Sequence, residues 1–238
     1  MLPKSVASAL ARLDAGPKRT VPARSMGGSY QSWEAVNKHS SSHDAGDQVA
    51  RALGFSPVLT REDAERWGLP FCHDHTGHGR GFPVVDAVHT TGKKKNIRIP
   101  ISFKCITREN VDDATSATVT TVAEKNRQVF LDFLRTRGIL VAVRGYRDKE
   151  GKMQIPAGNL HLTQVIDLRA RFSGSIPVSG GNGFTRGKTL AWYKLVNRPE
   201  QGGEYFEFST RIDPRAWKER TLDELKCEIE RVWFSFSL

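Results

Sequence analysis

Hydrophobic and polar positions along this chain change period several times, and each change marks an expected element. Residues 81–88 (GFPVVDAV) and 98–105 (RIPISFKC) are short apolar runs rich in Val, Ile and Phe, the composition of half-buried strands. The linker HTTGKKKN between them fits a hairpin connection. Further on, Val119, Val122, Ala123, Phe130, Phe133 and Leu134 recur at three- and four-residue steps. That spacing predicts an amphipathic helix over 115–137, with Gly138 as its stop. Residues 139–146 (ILVAVRGY) then predict a buried strand, and 148–152 its turn.

Shorter helices are expected over 6–13, over 48–53 with Asp44 or Asp47 opening it and Gly54 ending it, and over 60–67. The last has Thr60 as cap, Glu62 nearby and a stop at Gly68-Leu69-Pro70. Residues 160–172 alternate as a strand would, 173–188 form a Gly- and Ser-rich loop, and 190–196 and 204–211 predict further strands. Asp213 and Pro214 introduce a terminal helix whose strongest part is 221–234. The order predicts an α/β (α+β) fold, a central mixed β-sheet flanked by helices on both faces. Within it, residues 98–146 would form a right-handed crossover if their two strands run parallel. Residues 1–43 are expected to be a flexible basic region. Residues 44–238 are expected to form one domain, with a core over 44–147 and a β-rich part over 148–238.

Charge narrows the function. The 238 residues carry a formal charge of +10, with 38% hydrophobic and 26% charged positions. An excess of that size favours polyanionic partners and says little about fold. The basic residues recur among strand-like segments, as Lys18-Arg19, Lys93-Lys94-Lys95, Arg144 with Arg147, and Arg169 with Arg171. That distribution predicts a folded nucleic-acid-binding surface in preference to a disordered arm. No apolar stretch approaches the roughly 18 residues of a membrane span, and the N-terminus lacks the apolar segment of an export signal. The cysteines are Cys72, Cys105 and Cys227, an odd and sparse set that fits a reducing cytoplasm.

The candidate chemistry lies in the two opening runs. The first carries Asp86, and the second carries Ser102 and Lys104 around Phe103. In a hairpin, Asp86 and Lys104 meet at one edge of a sheet, where a carboxylate and an ammonium can hold a divalent metal and orient a water beside a phosphate. This series resembles the core of the PD-(D/E)xK nucleases, above all type II restriction endonucleases. In that family an aspartate on one strand is followed by a strand with an acidic residue, a spacer and a lysine, then a helix and a strand. Asp86 matches the aspartate, within Pro83-Val84-Val85-Asp86, and Lys104 the lysine, with 17 residues between them. Ser102 stands where the family usually has Glu or Asp. Some restriction enzymes share this Ser-x-Lys form and recruit the missing carboxylate from the following helix. Glu124 is the matching candidate, with Glu109 and Asp112 as alternatives.

The resemblance covers roughly residues 44–147. It implies a restriction-endonuclease-like core and a sequence-specific, Mg²⁺-dependent (or Mn²⁺-dependent) endonuclease acting on double-stranded DNA. Asp86 and Glu124 would bind the metal, Lys104 would orient or help deprotonate the attacking water, and Ser102 would hydrogen-bond a metal-bound water. Recognition of a palindrome implies a homodimer. A non-catalytic DNA-binding protein on a degenerate nuclease core, and an enzyme that cleaves DNA without metal, remain the alternatives.

Other clusters compete for attention. Cys72, His73, His75 and His78 have spacings compatible with a structural Zn²⁺ site, with His89 and His161 as distant ligands, or with a metal-free loop. Lys93, Lys94 and Lys95 would form a solvated hairpin tip or grip a phosphate backbone. Arg144 and Arg147 stand at a strand end, from which arginines reach guanine edges, or supply surface charge only. Asn182, Arg186 and Lys188 lie in a loop long enough to fold over DNA, with no P-loop ending.

Overall fold

A computed structural model describes residues 49–72, 82–83, 85–107, 116–147, 153–154, 161–174, 176, 178–179, 190–198 and 203–236. In chain order the elements are β1 (Ser56–Pro57), α1 (Arg61–Trp67), β2 (Phe71–Cys72), β3 (Phe82–Pro83), β4 (Ala87–Thr91) and β5 (Ile97–Thr107). There follow β6 (Ser116–Ala123), α2 (Arg127–Arg137), β7 (Ile139–Arg147), β8 (Met153–Gln154), β9 (His161–Asp167) and α3 (Leu168–Phe172). The chain closes with β10 (Val178–Ser179), β11 (Ala191–Arg198), β12 (Gly203–Arg211), β13 (Lys218–Arg220) and α4 (Leu222–Ser235).

The fold is mixed α+β. Its main sheet runs β1-β4-β5-β7-β9-β13, with β8 added beside β7. The β5–β7 pair is parallel and the other pairs are antiparallel. A second sheet runs β10-β11-β12-β6, and β2 and β3 form a two-stranded ribbon. The parallel β5–β7 pairing is the one the crossover required, and α2 lies between those strands in the chain. The main sheet does not break near residue 148, because β9 and β13 extend it from the later half of the chain.

Period-2 alternation on the strands divides the core in two. Ile99, Ile101, Ile139, Val141 and Val143 point to one face, under Leu222, Leu225, Ile229 and Val232 of α4 and the helical residues 49–52. Val88, Ile106, Leu140, Ala142 and Ile166 point to the other. There they meet Phe130, Leu131, Phe133 and Leu134 of α2 and the inner face of the second sheet, including Val122, Phe206 and Phe208. The cap expected at Thr60 is built that way, and Thr221 caps α4 likewise. Thr60 Oγ1 accepts the Asp63 N–H at 3.2 Å, and Thr221 Oγ1 accepts the Glu224 N–H at 3.1 Å. In both, the acidic partner returns to the cap N–H, completing a capping box. The partner in α1 is Asp63 in place of the neighbouring Glu62.

Asp213 and Pro214 open a 3₁₀ turn followed by β13 and not the terminal helix, and four further expectations need correction. The helix predicted over 115–137 is two elements: β6 occupies Ser116–Ala123, a 3₁₀ turn Glu124–Asn126, and only Arg127–Arg137 is α-helical. Thr118, Val119, Thr120, Thr121 and Val122 are β-branched, weak in helices and strong in strands, and they pair with β12 far along the chain. Secondly, the run 81–88 is not one strand. Its front pairs with β2, whereas β4 begins at Ala87 and continues through Thr90 and Thr91, which pair with Arg98 and Ile97. Thirdly, the strand predicted over 160–172 stops at Asp167, whose carboxylate accepts the Arg169 N–H at 3.0 Å and starts α3. Lastly, Gly138 ends α2 for a reason other than a left-handed cap. Its φ is −74°, and an added Cβ would lie 2.8 Å from the Leu134 carbonyl oxygen and from Leu168 Cβ. The residue is small so that α3 can approach α2.

No helix among the described residues is long and apolar enough to cross a membrane. The expected helix over 6–13, the turn over 148–152 and most of the loop over 173–188 lie outside the described residues.

Candidate active site

Asp86 stands one residue before β4, at a bend fixed by three backbone-directed bonds. Its N–H donates to the Ile101 carbonyl at 3.0 Å, and its own carbonyl accepts the Val58 N–H at 2.9 Å. Its carboxylate Oδ2 accepts the Phe103 N–H at 2.7 Å. The side chain thus replaces the backbone acceptor that a longer β4 would have presented to Phe103. A short bond to an ionised carboxylate is among the stronger hydrogen bonds a protein makes. Because Ala87 pairs with Ile101, Asp86 falls opposite Ser102.

Alternation along β5 sets the rest. Ile99, Ile101 and Phe103 pack towards α4, so Ser102 and Lys104 belong to the α2 face with Ile106. Both are half-buried. The parallel register places Ser102 beside Leu140, Lys104 beside Ala142, and Ile106 beside Arg144 of β7. Arg144, also half-buried, therefore shares the face with Lys104. The antiparallel β7–β9 register then puts Gln164 beside Ala142. Gln164 is a buried polar residue that the sequence reading missed, and its Nε2 donates to the Asp213 carbonyl at 2.8 Å. Its signal was a Gln between Leu162 and Ile166 on an otherwise apolar face. Lys104, Ala142 and Gln164 make one row across three strands, with the smallest side chain in the middle.

Glu124 is not on a helix. It opens the 3₁₀ turn between β6 and α2 and is exposed. The same turn carries Asn126, whose Nδ2 is buried without a hydrogen-bond partner among the described residues. Among the described residues no group of three or more His, Cys, Asp and Glu side chains is placed to hold a metal. The alternatives Glu109 and Asp112 lie outside the described residues.

Of the candidate DNA contacts, Lys93, Lys94 and Lys95 form a 3₁₀ turn at the tip of the β4–β5 hairpin and are exposed. Lys94 and Lys95 have φ of 60° and 51°, a left-handed pair that reverses the chain after Gly92. Arg147 lies in β7, but its side chain is outside the described residues, as are Asn182, Arg186 and Lys188. The Cys72 backbone belongs to β2, and the remaining zinc candidates His73, His75 and His78 lie outside the described residues.

Of the two distant ligands considered for that site, His161 begins β9 with its side chain outside the described residues, and His89 has a different role. It is buried on β4 towards α4, stacks on Phe55 with ring centroids 4.5 Å apart, and bonds Glu230 through Nε2 at 2.6 Å. Burial lowers its pKa, and the bond to Glu230 opposes this only in part. For Glu230 burial pushes upward, but the hydrogen bonds from His89 and Thr91 hold the carboxyl below its usual range. The pair is thus a neutral imidazole donating Nε2–H to a carboxylate. No protein-family model, curated protein or solved structure matches the chain.

Proposed function

We propose that the chain is a Mg²⁺-dependent endonuclease of double-stranded DNA, built on a core like that of the PD-(D/E)xK restriction enzymes and acting as a homodimer in the cytoplasm. One observation carries the reading: the 2.7 Å bond from Phe103 N–H to Asp86 Oδ2, which fixes a carboxylate beside Ser102 and Lys104 on one face of β5. The parallel β5–β7 pair behind it and the +10 charge agree with that reading.

The donor set suits a hard cation. Mg²⁺ is commonly bound by one or two carboxylates, with waters and substrate phosphate oxygens completing its shell. Asp86 would supply one fixed carboxylate, and Glu124, exposed on its turn, would supply the second. The ion, when bound, acidifies a water and offsets charge growing on the phosphate. Lys104 would orient the attacking water and meet the negative charge that develops on the phosphate oxygens. Ser102 hydrogen-bonds water in the place of the missing acid, and Arg144 and Lys93 to Lys95 hold the phosphate backbone.

A second reading, a DNA-binding protein that does not cleave, is favoured by two observations: Ser102 in place of an acid, and Glu124 on a turn rather than a helix. Incubation of a mixed-sequence plasmid with Mg²⁺ or with EDTA separates the readings. Discrete fragments in Mg²⁺ alone fit the proposal. Salt-sensitive binding without nicking in either Mg²⁺ or Mn²⁺ fits the second reading. Equal cleavage in EDTA would require a metal-independent mechanism.

A further inference from the structure

At the end of the main sheet where β5 begins lies a cavity of about 390 Å³. That is within the range of small-molecule sites, roughly 300–1,000 Å³. Two indoles line it, Trp67 from the end of α1 and Trp233 from α4. Two guanidiniums do so as well, Arg98 of β5 and Arg137 at the end of α2, and Asn96 adds an amide. No carboxylate lines the cavity among the described residues. The floor is apolar, from Val88 and Pro100.

The lining is partly pre-arranged. The Arg98 guanidinium lies over the Trp67 ring, 5.4 Å from its centroid, so an indole–guanidinium stack already stands at the wall. A planar base can extend such a stack, since bases pack on aromatic rings and on arginine planes alike. The buried Arg169 guanidinium lies over the Trp233 ring, 4.4 Å from its centroid. Arg137 donates one N–H to the Gly68 carbonyl at 3.3 Å, leaving most of its five donors for another acceptor. Guanidinium is the group best matched to phosphate oxygens. Aromatic walls, two cations, an amide and no anion together select a ligand that is both planar and anionic.

We propose that this cavity binds a nucleotide, with the base stacked on the Arg98–Trp67 pair and the phosphate held by Arg137. The ligand chemistry is common to a free mononucleotide and to an unpaired nucleotide of a nucleic-acid strand. Arg98 and Pro100 alternate with Ile97, Ile99 and Ile101, so they share the face of Ser102 and Lys104. The cavity therefore begins about 7 Å along the strand from Ser102, by the usual rise per residue pair. Binding here requires neither metal nor cleavage, so it goes beyond the endonuclease reading and is tested separately from it.

The test is calorimetric titration of the full chain in EDTA with each of the four nucleoside 5′-monophosphates, with adenosine and with inorganic phosphate. At least one monophosphate is expected to bind about tenfold or more tightly than adenosine or phosphate, since only it engages both halves of the site. Arg98→Ala and Arg137→Ala, both at exposed side chains, are each expected to weaken it about tenfold while leaving the thermal melt unchanged. A single-stranded oligonucleotide carrying 2-aminopurine assigns the source. Fluorescence quenching that depends on Arg98 means a strand nucleotide, and quenching unaffected by Arg98→Ala means a free mononucleotide. The proposal is overturned if no monophosphate saturates the protein below about 10 mM. It is equally overturned if inorganic phosphate binds as well as the monophosphates, or if both variants bind them like the parent chain.

Discussion

On the α4 face of the main sheet, polar groups are closed into pairs that tie sheet to helix. His89 meets Glu230 at 2.6 Å, and Arg169 meets Asp167 through two bonds of 2.9 and 2.7 Å. The same guanidinium caps α4 by donating to the carbonyls of Val232 and Trp233, and it lies against the rings of Trp233 and Phe236. On the α2 face the polar groups around Asp86 come from the sheet itself. Asp86 is held by a backbone N–H of β5, and Ser102, Lys104 and Arg144 follow on neighbouring strands, with Gln164 one strand further. Burial of a charge therefore carries two meanings in one molecule. Where the partner is the covering helix, the pair is architecture. Where a carboxylate just before β4 and a lysine of β5 share one face of the sheet, half-buried, the arrangement carries the proposed chemistry.

Breaking the architectural side has the largest expected effect. Arg169→Ala strands a mostly buried Asp167 and uncaps α4, so it is expected to cost about 3–5 kcal/mol, measured by urea unfolding. The same loss of stability on Glu124→Ala is not expected, because Glu124 is exposed. Instead, Glu124→Ala is expected to lower metal-dependent cleavage about tenfold to a hundredfold, read from initial rates on plasmid. Unchanged rates would move the second carboxylate to Glu109 or Asp112.

A purely local change sharpens the contrast further. Thr221→Ala removes the cap of α4 and is expected to cost about 1 kcal/mol, with cleavage unaffected once the protein is folded. The smallest effect is on pH dependence. His89 and Glu230 both have pKa values below their ordinary ones. Each group therefore takes up protons more readily unfolded than folded. The His89 contribution to stability is fully present above about pH 6.5, that of Glu230 above about 4.5. Each is lost as pH falls below those values and through its depressed folded value. Replacing His89 with Gln, which keeps an N–H donor, should flatten the upper part of that acid limb in denaturant titrations at successive pH values.

What the sequence disclosed was mostly local. The cap at Thr60, the stop at Gly68 and the apolar run of β7 are written within a few residues, and they formed where expected. The pairing of Asp86 with the Ser102 to Lys104 segment was legible because one hairpin joins them. The nature of 116–123 was not. Its apolar positions satisfy a helical period, but its β-branched side chains and its pairing with β12 decide for a strand, and the second of these has no local signal. Gln164 and the cavity between Trp67, Arg98, Arg137 and Trp233 escaped for the same reason. Their residues come together only through packing between distant segments.

The most direct test of the assignment is Lys104→Ala, assayed beside the parent chain on plasmid DNA in Mg²⁺, with DNA binding and thermal unfolding recorded for both. The account predicts that cleavage falls by about a hundredfold or more while binding and unfolding stay close to the parent. Full cleavage by the Lys104→Ala protein would contradict it.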